Sequence, residues 1–375
     1  MMGRRKNLND KFGFVDSMKI KDFIDYEQPN EYIVESDRYN SKYSTPVLTA
    51  GQSFILGYTN ESKGIYKKGP CIIFDDFTTS VHYVDFPFKV KSSAMKILTT
   101  KSNTDLKYCY YLLLSLSKMP PNHKRQWIST TSEKNHVLPS MDRQISIVKQ
   151  LDLISDTIVN YTNQIENLDN LVKARFIEMF GDININNKNW HTEHLGKLCN
   201  IVRGSSPRPI EKYLGGDIPW IKIGDATDED NIYLNSTKEH IIREGVNKSR
   251  FVKKGSLIFA NCGVSLGFAR IISFDGCIHD GWLALENIDY RLNKEFLLLS
   301  LNQLTDHFRI IAPSGTQPNL NIAIMQNFMQ VIPPMELQET FVSFRRHVDK
   351  SREEVKKSLE KTQQLYDSLM QEYFG

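Results

Sequence analysis

One polar stretch of the sequence, APSGTQPNLN at residues 312–321, carries side chains suited to reading the edges of DNA bases. Thr316, Gln317 and Asn319 can each donate and accept hydrogen bonds, and Gln and Asn side chains can pair bidentately with adenine. A plain surface loop held by its own turn bonds has a similar composition, and composition alone favours that alternative.

Basic side chains occur in other stretches and suit phosphate binding. The stretch HKRQWISTTSEKN at 123–135 occupies the place in the first half of the chain that corresponds to 312–321. In RGSSPRP at 203–209, two arginines flank a Gly-Ser-Ser-Pro turn whose free amides could face an anion. The candidate DNA-binding residues outside 312–321 are Lys67, Lys68, Lys124, Arg125, Arg203, Ser205, Ser206, Arg208 and Lys222.

The sequence offers little for catalysis. It contains no GxGxxG, GxxxxGK[ST] or HExxH motif, and no Asn/Asp-Pro-Pro-aromatic tetrapeptide of the kind that holds a base amine in amino-methyltransferases. We interpret Asp75–Asp76 and the acids at 228–230 as solvated turn residues rather than metal ligands. His279–Asp280 has no nucleophile near it in the sequence. We therefore expect no catalytic residue and no metal site.

The composition is that of a folded protein with two or three domains. Of 375 residues, 40% are hydrophobic and 24% charged, and the longest apolar run is about half of the ~20 residues that a membrane span needs. Five cysteines without a CxxC pair favour free thiols in the cytoplasm. The net charge is +3, but residues 1–137 hold 20 Lys and Arg against 14 Asp and Glu, so any anion-binding face must be local.

Four blocks recur in the same order, which indicates a tandem duplication. The pairs are KKGPCIIF (67–74) with KKGSLIF (253–259), YLLLSLS (111–117) with FLLLSLN (296–302), LPSMDRQ (138–144) with IPPMELQ (332–338), and EMFG (178–181) with EYFG (372–375). We interpret the first pair as a turn feeding a buried strand and the second as a buried helix. Both pairs therefore represent core packing.

The last 44 residues of each copy, 138–181 and 332–375, align without a gap and predict two long helices. Their apolar residues recur at spacings of three and four, which places them on one helix face. At ~1.5 Å per residue each helix is about 60 Å long. The predicted interface comprises Ile147, Leu151, Ile154, Ile158, Tyr161, Ile165, Leu168 and Val172 in the first helix and Phe341, Val348, Val355, Leu359, Tyr366 and Leu369 in the second.

Connectivity predicts that the two helices are antiparallel. The first leads from the first globular segment to the second, so the second helix must run back if its apolar face is to be buried along the first. The two globular copies would then be held apart by a stiff spacer and related by an approximate two-fold axis. Two independent helices, or a handle for self-association, are the alternative.

The predicted fold class is α+β, with two homologous mixed α/β domains separated by an antiparallel coiled coil in a pseudo-two-fold internal repeat. The predicted parts are a basic N-terminal arm (1–14), a first globular domain (15–137), a central spacer helix (138–183), a second globular domain (184–331) and a C-terminal spacer helix (332–375).

Taken together, these blocks resemble the specificity subunit of type I restriction-modification enzymes. The resemblance covers nearly the whole chain. It rests on the helix openings LPxMxxQ and IPPMxxQ, Trp190 with LGKL (195–198), the GSSP turn, IPWIKIGD (218–225), KKGSLIF and SGTQPNLN.

The resemblance implies two target-recognition domains, each reading one half of a bipartite DNA site in the major groove. The helices would set the gap and dock two adenine methyltransferase subunits, and restriction subunits carrying the motor and nuclease would join them. S-adenosylmethionine would be bound by the methyltransferase, and ATP with magnesium by the motor. The resemblance thus implies a non-catalytic cytoplasmic chain with no cofactor of its own and no membrane partner.

Two alternatives stay open. A type IIB-like methyltransferase-nuclease uses a recognition partner with the same double module, and a helical adaptor would join two proteins without touching DNA. The chain also departs from the family, with Arg143 and Leu337 where an acid commonly precedes the Gln of the helix opening. The first domain has TPVLTAGQSFILGYTNE at 45–61 instead of a clear GSSP turn.

Overall fold

The computed structural model describes residues 17–49, 53–117, 125–226, 232–263, 265–313 and 318–375. The predicted basic arm at 1–14 lies outside these residues. Of the described residues, 17–163 and 356–375 form one compact unit, called unit 1, and those within 164–355 form a second, called unit 2.

Unit 1 contains three small sheets with strand orders β2-β8-β5-β6, β4-β3-β7 and β1-β9. Helix α2 packs against strands of the first sheet. The elements in chain order are β1 (Ser17–Lys19), α1 (Ile20–Phe23), β2 (Ile24–Glu27), β3 (Thr45–Leu48), β4 (Ile55–Thr59), β5 (Cys71–Asp75), β6 (Val81–Val84), β7 (Lys89–Val90), β8 (Met95–Thr100), α2 (Leu106–Leu116), β9 (Asn135–Val137) and the long helix α3 (Met141–Phe180), which continues into unit 2.

Unit 2 contains sheets with strand orders β11-β19-β16-β17-β13, β14-β12-β18-β15 and β10-β20. Its elements are β10 (His191–His194), α4 (Leu195–Leu198), β11 (Asn200–Arg203), β12 (Leu214–Ile221), β13 (Tyr233–Leu234), β14 (Glu239–Ile241), α5 (Arg243–Val246), β15 (Arg250–Val252), β16 (Leu257–Ala260), β17 (Ala269–Ile272), β18 (Gly276–Ile278), β19 (Trp282–Glu286), α6 (Lys294–Gln303), α7 (Thr305–Ile311), α8 (Ile322–Asn327), β20 (Met329–Ile332) and the long helix α9 (Met335–Phe374), which continues into unit 1.

The two units repeat one topology. The antiparallel order β2-β8-β5-β6 corresponds to β11-β19-β16-β17. In the smaller sheets, β3 is antiparallel to β4 and parallel to β7, just as β12 is antiparallel to β14 and parallel to β18. The duplication predicted from the four sequence blocks is therefore confirmed, and unit 2 adds β13 to the edge of its larger sheet.

The repeated blocks have the predicted roles. Every residue of β5 and of β16 is buried, because each strand is covered on both faces. The Leu-rich blocks form the buried helices α2 and α6, which begin at the side-chain caps Asp105 and Asn293. All five cysteines are free thiols.

In unit 1, the beginning of α3 packs against the end of α9. The buried Ile147 and Leu151 share a core cluster with Tyr366 and Leu369. Tyr373 near the end of α9 donates its hydroxyl proton to Gln150 at 2.9 Å.

In unit 2, the end of α3 packs against the beginning of α9. The Phe341 ring lies 5.3 Å from Phe176 and 5.5 Å from Phe180 between centroids. Arg352, which is buried, donates to Asp169 at 2.9 Å. Within each unit an early part of one helix therefore meets a late part of the other, and the predicted antiparallel pairing is confirmed.

The predicted interface residues all lie on the covered side of the helices. Some apolar residues outside the predicted frame are exposed, such as Leu153 at 69% and Val159 at 56%, whereas Val148, Phe176, Phe180 and Val342, also outside it, are buried. Buried members are Ile147, Leu151, Val172, Phe341 and Val348, and partly buried members are Ile154, Ile158, Tyr161, Ile165, Leu168, Val355, Leu359, Tyr366 and Leu369.

Both helices begin at the Met of the repeated opening block, after its proline. Helix α3 ends at Phe180, and the next residue, Gly181, has a φ of +73°, the left-handed conformation that glycine adopts after helix ends. Within the described part of the chain, no helix combines the length and hydrophobicity that a membrane span requires.

Candidate nucleic-acid interface

Unit 2 brings several of the predicted DNA-binding residues together at strand ends. Strands β12 and β18 are parallel neighbours with Ile221 opposite Ile278, so their ends place Lys222 beside His279. Strand β11 ends at Arg203, which is paired with Leu283 at the beginning of β19. The segment between β18 and β19, which contains His279 and Asp280, therefore lies next to both.

Asp280 is the centre of this group. Its carboxylate accepts a hydrogen bond from the Ser206 hydroxyl at 3.0 Å and forms an ion pair with Arg208 at 3.5 Å. Its backbone carbonyl accepts a hydrogen bond from Nε of Arg203 at 3.0 Å. One acid therefore holds both arginines of the RGSSPRP stretch, and the Arg208 side chain is still 81% exposed.

His279 is held as a neutral ring within the group. Burial lowers the pKa of His279, and nearby Lys222, Arg208 and Arg203 lower it further, against the opposing effect of Asp280. Its Nδ1 accepts from the backbone N–H of Gly281 at 2.9 Å, so the proton is on Nε2, which lies 2.9 Å from the Asp280 carboxylate. The neutral ring thus donates to Asp280 and carries no charge toward a ligand.

The backbone of the GSSP turn is used by the protein itself. The N–H of Gly204 donates to the Trp282 carbonyl at 2.8 Å, and that of Ser205 donates to the Ile278 carbonyl at 3.2 Å. The Ser205 hydroxyl donates to the Lys248 carbonyl at 2.8 Å. The interpretation that free amides of this turn face an anion is therefore wrong for Gly204 and Ser205, and the positive charge comes from side chains.

Two further predicted residues adjoin this group. Lys222 is ion-paired with Glu239, and its ammonium lies 5.7 Å from the centre of the Trp220 ring. Asn319 accepts a hydrogen bond from Asn261 at 3.1 Å, and Asn261 is bonded through its backbone to Gly281, next to Asp280. Thr316 and Gln317 lie outside the described residues.

The candidates of unit 1 are separated. Lys67 and Lys68 are exposed and precede β5, whereas Arg125 adjoins Gln126, whose N–H is bonded to Asp76 just beyond the other end of β5. Lys68 is also paired with Glu27 at 2.8 Å. The structure therefore places these basic residues at opposite ends of one strand, and Lys124 lies outside the described residues.

The acidic pair Asp75–Asp76 is buried, so its interpretation as solvated residues is wrong. Asp75 does hold a turn, because its carboxylate accepts from the N–H and hydroxyl of Thr78 at 2.6 and 2.8 Å. Asp76 is ion-paired with Lys96 at 2.9 Å, and both side chains are 0% exposed. Among the described residues no group of three His, Cys, Asp or Glu could hold a metal ion, and the acids at 228–230 lie outside them.

One pentapeptide, GVSLG at 263–267, does match the GxSxG pattern of a hydrolase nucleophile. That chemistry requires a sharp turn from a strand into a helix. Here the pentapeptide connects β16 to β17, which are antiparallel neighbours, so the context of a nucleophile elbow is missing.

The chain has relatives of known role. A family model described as type I restriction modification DNA specificity domain matches residues 187–363. The EcoR124I/EcoR124II type I restriction enzyme specificity subunit of Escherichia coli is 38% identical over 245 residues, which cover 62% of this chain and 60% of that protein. The MjaIX specificity subunit of Methanocaldococcus jannaschii is 22% identical over 210 residues, covering 54% and 48%. The matches thus span 60% or less of these two relatives.

Two solved structures are similar over almost the entire chain. The S subunit of a type I restriction-modification system from M. genitalium has a TM-score of 0.63 at 17% identity and covers 100% of this chain and 99% of its own. A chain from a structural study of complex assembly in a type I R-M system has a TM-score of 0.57 at 16% identity, covering 94% and 97%. At these identities the likeness establishes a common fold.

Proposed function

We propose, from the match of residues 187–363 to the type I restriction modification DNA specificity domain, that this chain is the DNA sequence-recognition subunit of a type I restriction-modification complex. The observation that carries the proposal is the group of basic and polar side chains that strand pairing gathers around Asp280 in unit 2. We propose no catalytic role for any residue of this group.

The chemistry of the group suits a DNA backbone next to readable bases. Arg203 and Arg208 are exposed and held in place by Asp280, so they offer phosphate contacts whose strength depends on salt. Asn319 is bonded to Asn261, whose backbone N–H is bonded to Gly281 next to Asp280, and it has an amide of the kind that pairs with adenine. Phosphate contacts would provide affinity, and the amide would provide base discrimination.

We further propose that the domains at 15–137 and 184–331 each read one half of a bipartite site. Their candidate residues differ, so the two half-sites should differ as well. The helices at 138–183 and 332–375 would set the gap and dock two adenine methyltransferase subunits in the cytoplasm, where restriction subunits join the complex. S-adenosylmethionine and ATP with magnesium would belong to those partners.

Binding of the reconstituted complex to duplex DNA in graded salt tests this proposal. Affinity should fall steeply with salt, and Arg208→Ala should weaken binding roughly tenfold for all sequences and reduce the salt slope by about one. Arg309→Ala is the control, because Arg309 lies in the same unit and is paired with Asp306 at 3.4 Å rather than with Asp280. Binding without salt dependence, or equal effects of the two variants, would contradict the proposal.

The two alternatives make different predictions. A helical adaptor should show no salt-dependent binding to DNA in any complex. A type IIB-like enzyme should bind DNA but co-purify with one combined methyltransferase-nuclease, whereas a separate ATP-dependent motor is expected for type I. The co-purifying polypeptides therefore distinguish these two systems.

A further inference from the structure

In both units, the residue directly after the repeated buried strand is bonded to the polar stretch of its own unit. Asp76 follows β5 and Asn261 follows β16, and the repeated block makes these two positions equivalent. Both side chains are 0% exposed. Each donates its backbone N–H at 3.0 Å to an equivalent carbonyl, that of Ala94 or Gly281.

In unit 1, Asp76 binds two consecutive residues of the stretch at 123–135. Its backbone carbonyl accepts from the N–H of Gln126 at 2.9 Å, and its carboxylate accepts from the N–H of Trp127 at 2.8 Å. Trp127 is itself 1% exposed. The backbone next to the exposed Arg125 is therefore fixed to the end of β5.

In unit 2, Asn261 binds two consecutive residues of the stretch at 312–321. Its carbonyl accepts from the N–H of Leu320 at 2.8 Å, and its side-chain amide donates to the Asn319 side chain at 3.1 Å. The contact with Asn319 orients the side chain proposed to read a base.

Asp76 and Asn261 differ in charge, and a second pair of equivalent positions, Lys96 and Leu283, differs as well. Strand register places Lys96 opposite Phe74 in unit 1 and Leu283 opposite Phe259 in unit 2. The buried carboxylate of Asp76 is thus paired with a buried ammonium, whereas the neutral amide of Asn261 comes with an apolar residue. A buried charge is stable when its partner is present and costly when that partner is removed.

We propose that Asp76 and Asn261 are equivalent positioning residues, each of which orients the polar segment by which its own domain reads DNA. The inference rests on the proposed function. It predicts that each residue affects one half-site, and that Asp76 and Lys96 can be replaced together by a neutral pair.

The test uses the full chain with its native partner subunits and maps methylated adenines in host DNA. Asn261→Ala should reduce base discrimination about tenfold in one half-site, equivalent to ~1.4 kcal/mol, and Asp76→Asn should do so in the other half-site. Asp76→Asn combined with Lys96→Met should restore discrimination, because it reproduces the neutral arrangement of unit 2. Asn302→Ala is the control, since its side chain bonds the backbone of Ala269 in unit 2.

The outcomes separate this inference from the function on which it rests. If the wild-type complex methylates no bipartite site, the proposed function is wrong. If the wild-type complex is specific, two results for Asn261→Ala would overturn the inference. Recognition of both half-sites could be unchanged, or it could be relaxed equally in both, as a general loss of stability would cause. If Asp76→Asn does not fold, the double variant decides: folded protein that reads both half-sites supports the equivalence, and folded protein that has lost one overturns it.

Discussion

Single residues in this protein owe their chemical state to what surrounds them. Asp280 accepts hydrogen bonds from Ser206 and Arg203 and forms an ion pair with Arg208. The side chain of Arg208 remains exposed. His279 is neutral because burial and three basic neighbours outweigh Asp280. The positive charge of the candidate interface therefore comes from Arg203, Arg208 and Lys222.

His136 in unit 1 couples the stability of the fold to acid. Burial lowers its pKa from 6.5 to about 4, and its Nε2 lies 2.7 Å from the Tyr108 hydroxyl. The folded state therefore prefers the neutral ring, so its stabilisation is complete above pH 6.5 and is lost as pH falls toward 4. By pH 5 the loss should be about 2 kcal/mol.

Thermal unfolding at pH 7.5 and pH 5.0 checks this. His136→Gln keeps a hydrogen-bonding group without titrating in this range, so it should lose less stability than wild type on acidification. The exposed His191→Gln should behave as wild type. An equal loss in all three proteins would mean that acid acts elsewhere.

At the scale of elements, one repeated glutamine attaches each long helix to its unit. Gln338 is 0% exposed; its oxygen accepts from the Asn293 N–H at 2.8 Å, and its amide donates to the carbonyls of Arg291 and Pro333 at 2.9 and 2.7 Å. Gln144 does the same with Asp105, Asn103 and Pro139. This is why the Gln of the helix-opening block recurs.

We expect Gln338→Ala to destabilise unit 2 by roughly 2–4 kcal/mol, because three buried backbone groups lose their partner. Gln338→Glu should be at least as harmful, since a carboxylate would face two carbonyl oxygens. Gln363→Ala, at an exposed position of the same helix, should cost under about 0.5 kcal/mol. Urea unfolding measures all three, and similar midpoints for Gln338→Ala and Gln363→Ala would refute the role of the glutamine.

The positions directly before these two glutamines differ in chemistry. Arg143 lies 5.5 Å from the centre of the Tyr373 ring, whereas its counterpart Leu337 packs in the apolar core that includes Met179. Met179 and Tyr373 are equivalent residues of the repeated EMFG and EYFG blocks. The residue before the glutamine therefore packs differently in the two units, as a cation near an aromatic ring in unit 1 and as an apolar side chain against the core of unit 2.

At the scale of the whole molecule, the last part of α9 packs in unit 1, with residues from the first part of the chain. Residues 356–375 belong to unit 1, where Tyr366 and Leu369 pack with Ile147 and Leu151. Unit 1 therefore cannot form its full core until α9 has been made.

Replacing both Tyr366 and Leu369 by Ala should destabilise unit 1 by roughly 2–4 kcal/mol and leave unit 2 protected. Leu365→Ala is the matched control, because Leu365 is adjacent on α9 and 51% exposed. Hydrogen exchange resolved by peptide distinguishes the units. Equal loss of protection in residues 17–163 and 164–355 would show that the two units do not respond separately.

The sequence by itself determined the duplication, the strands and helices of the repeated blocks and the antiparallel pairing of α3 with α9. These features follow from local patterns, namely recurring blocks and apolar spacings of three and four. Such patterns can be recognised without knowledge of the fold. The frame included the buried Leu151 and left out the exposed Leu153, although it also left out the buried Val148 and Val342.

Only the tertiary structure decided which polar residues meet. Lys222 and His279 are 57 positions apart and become neighbours through the parallel pairing of β12 with β18. Asp76, interpreted as solvated, is buried because Lys96 from β8 lies beside it, and the GSSP amides are used by carbonyls near residue 280. Such contacts depend on strand register between distant segments, and a local pattern contains no information about register.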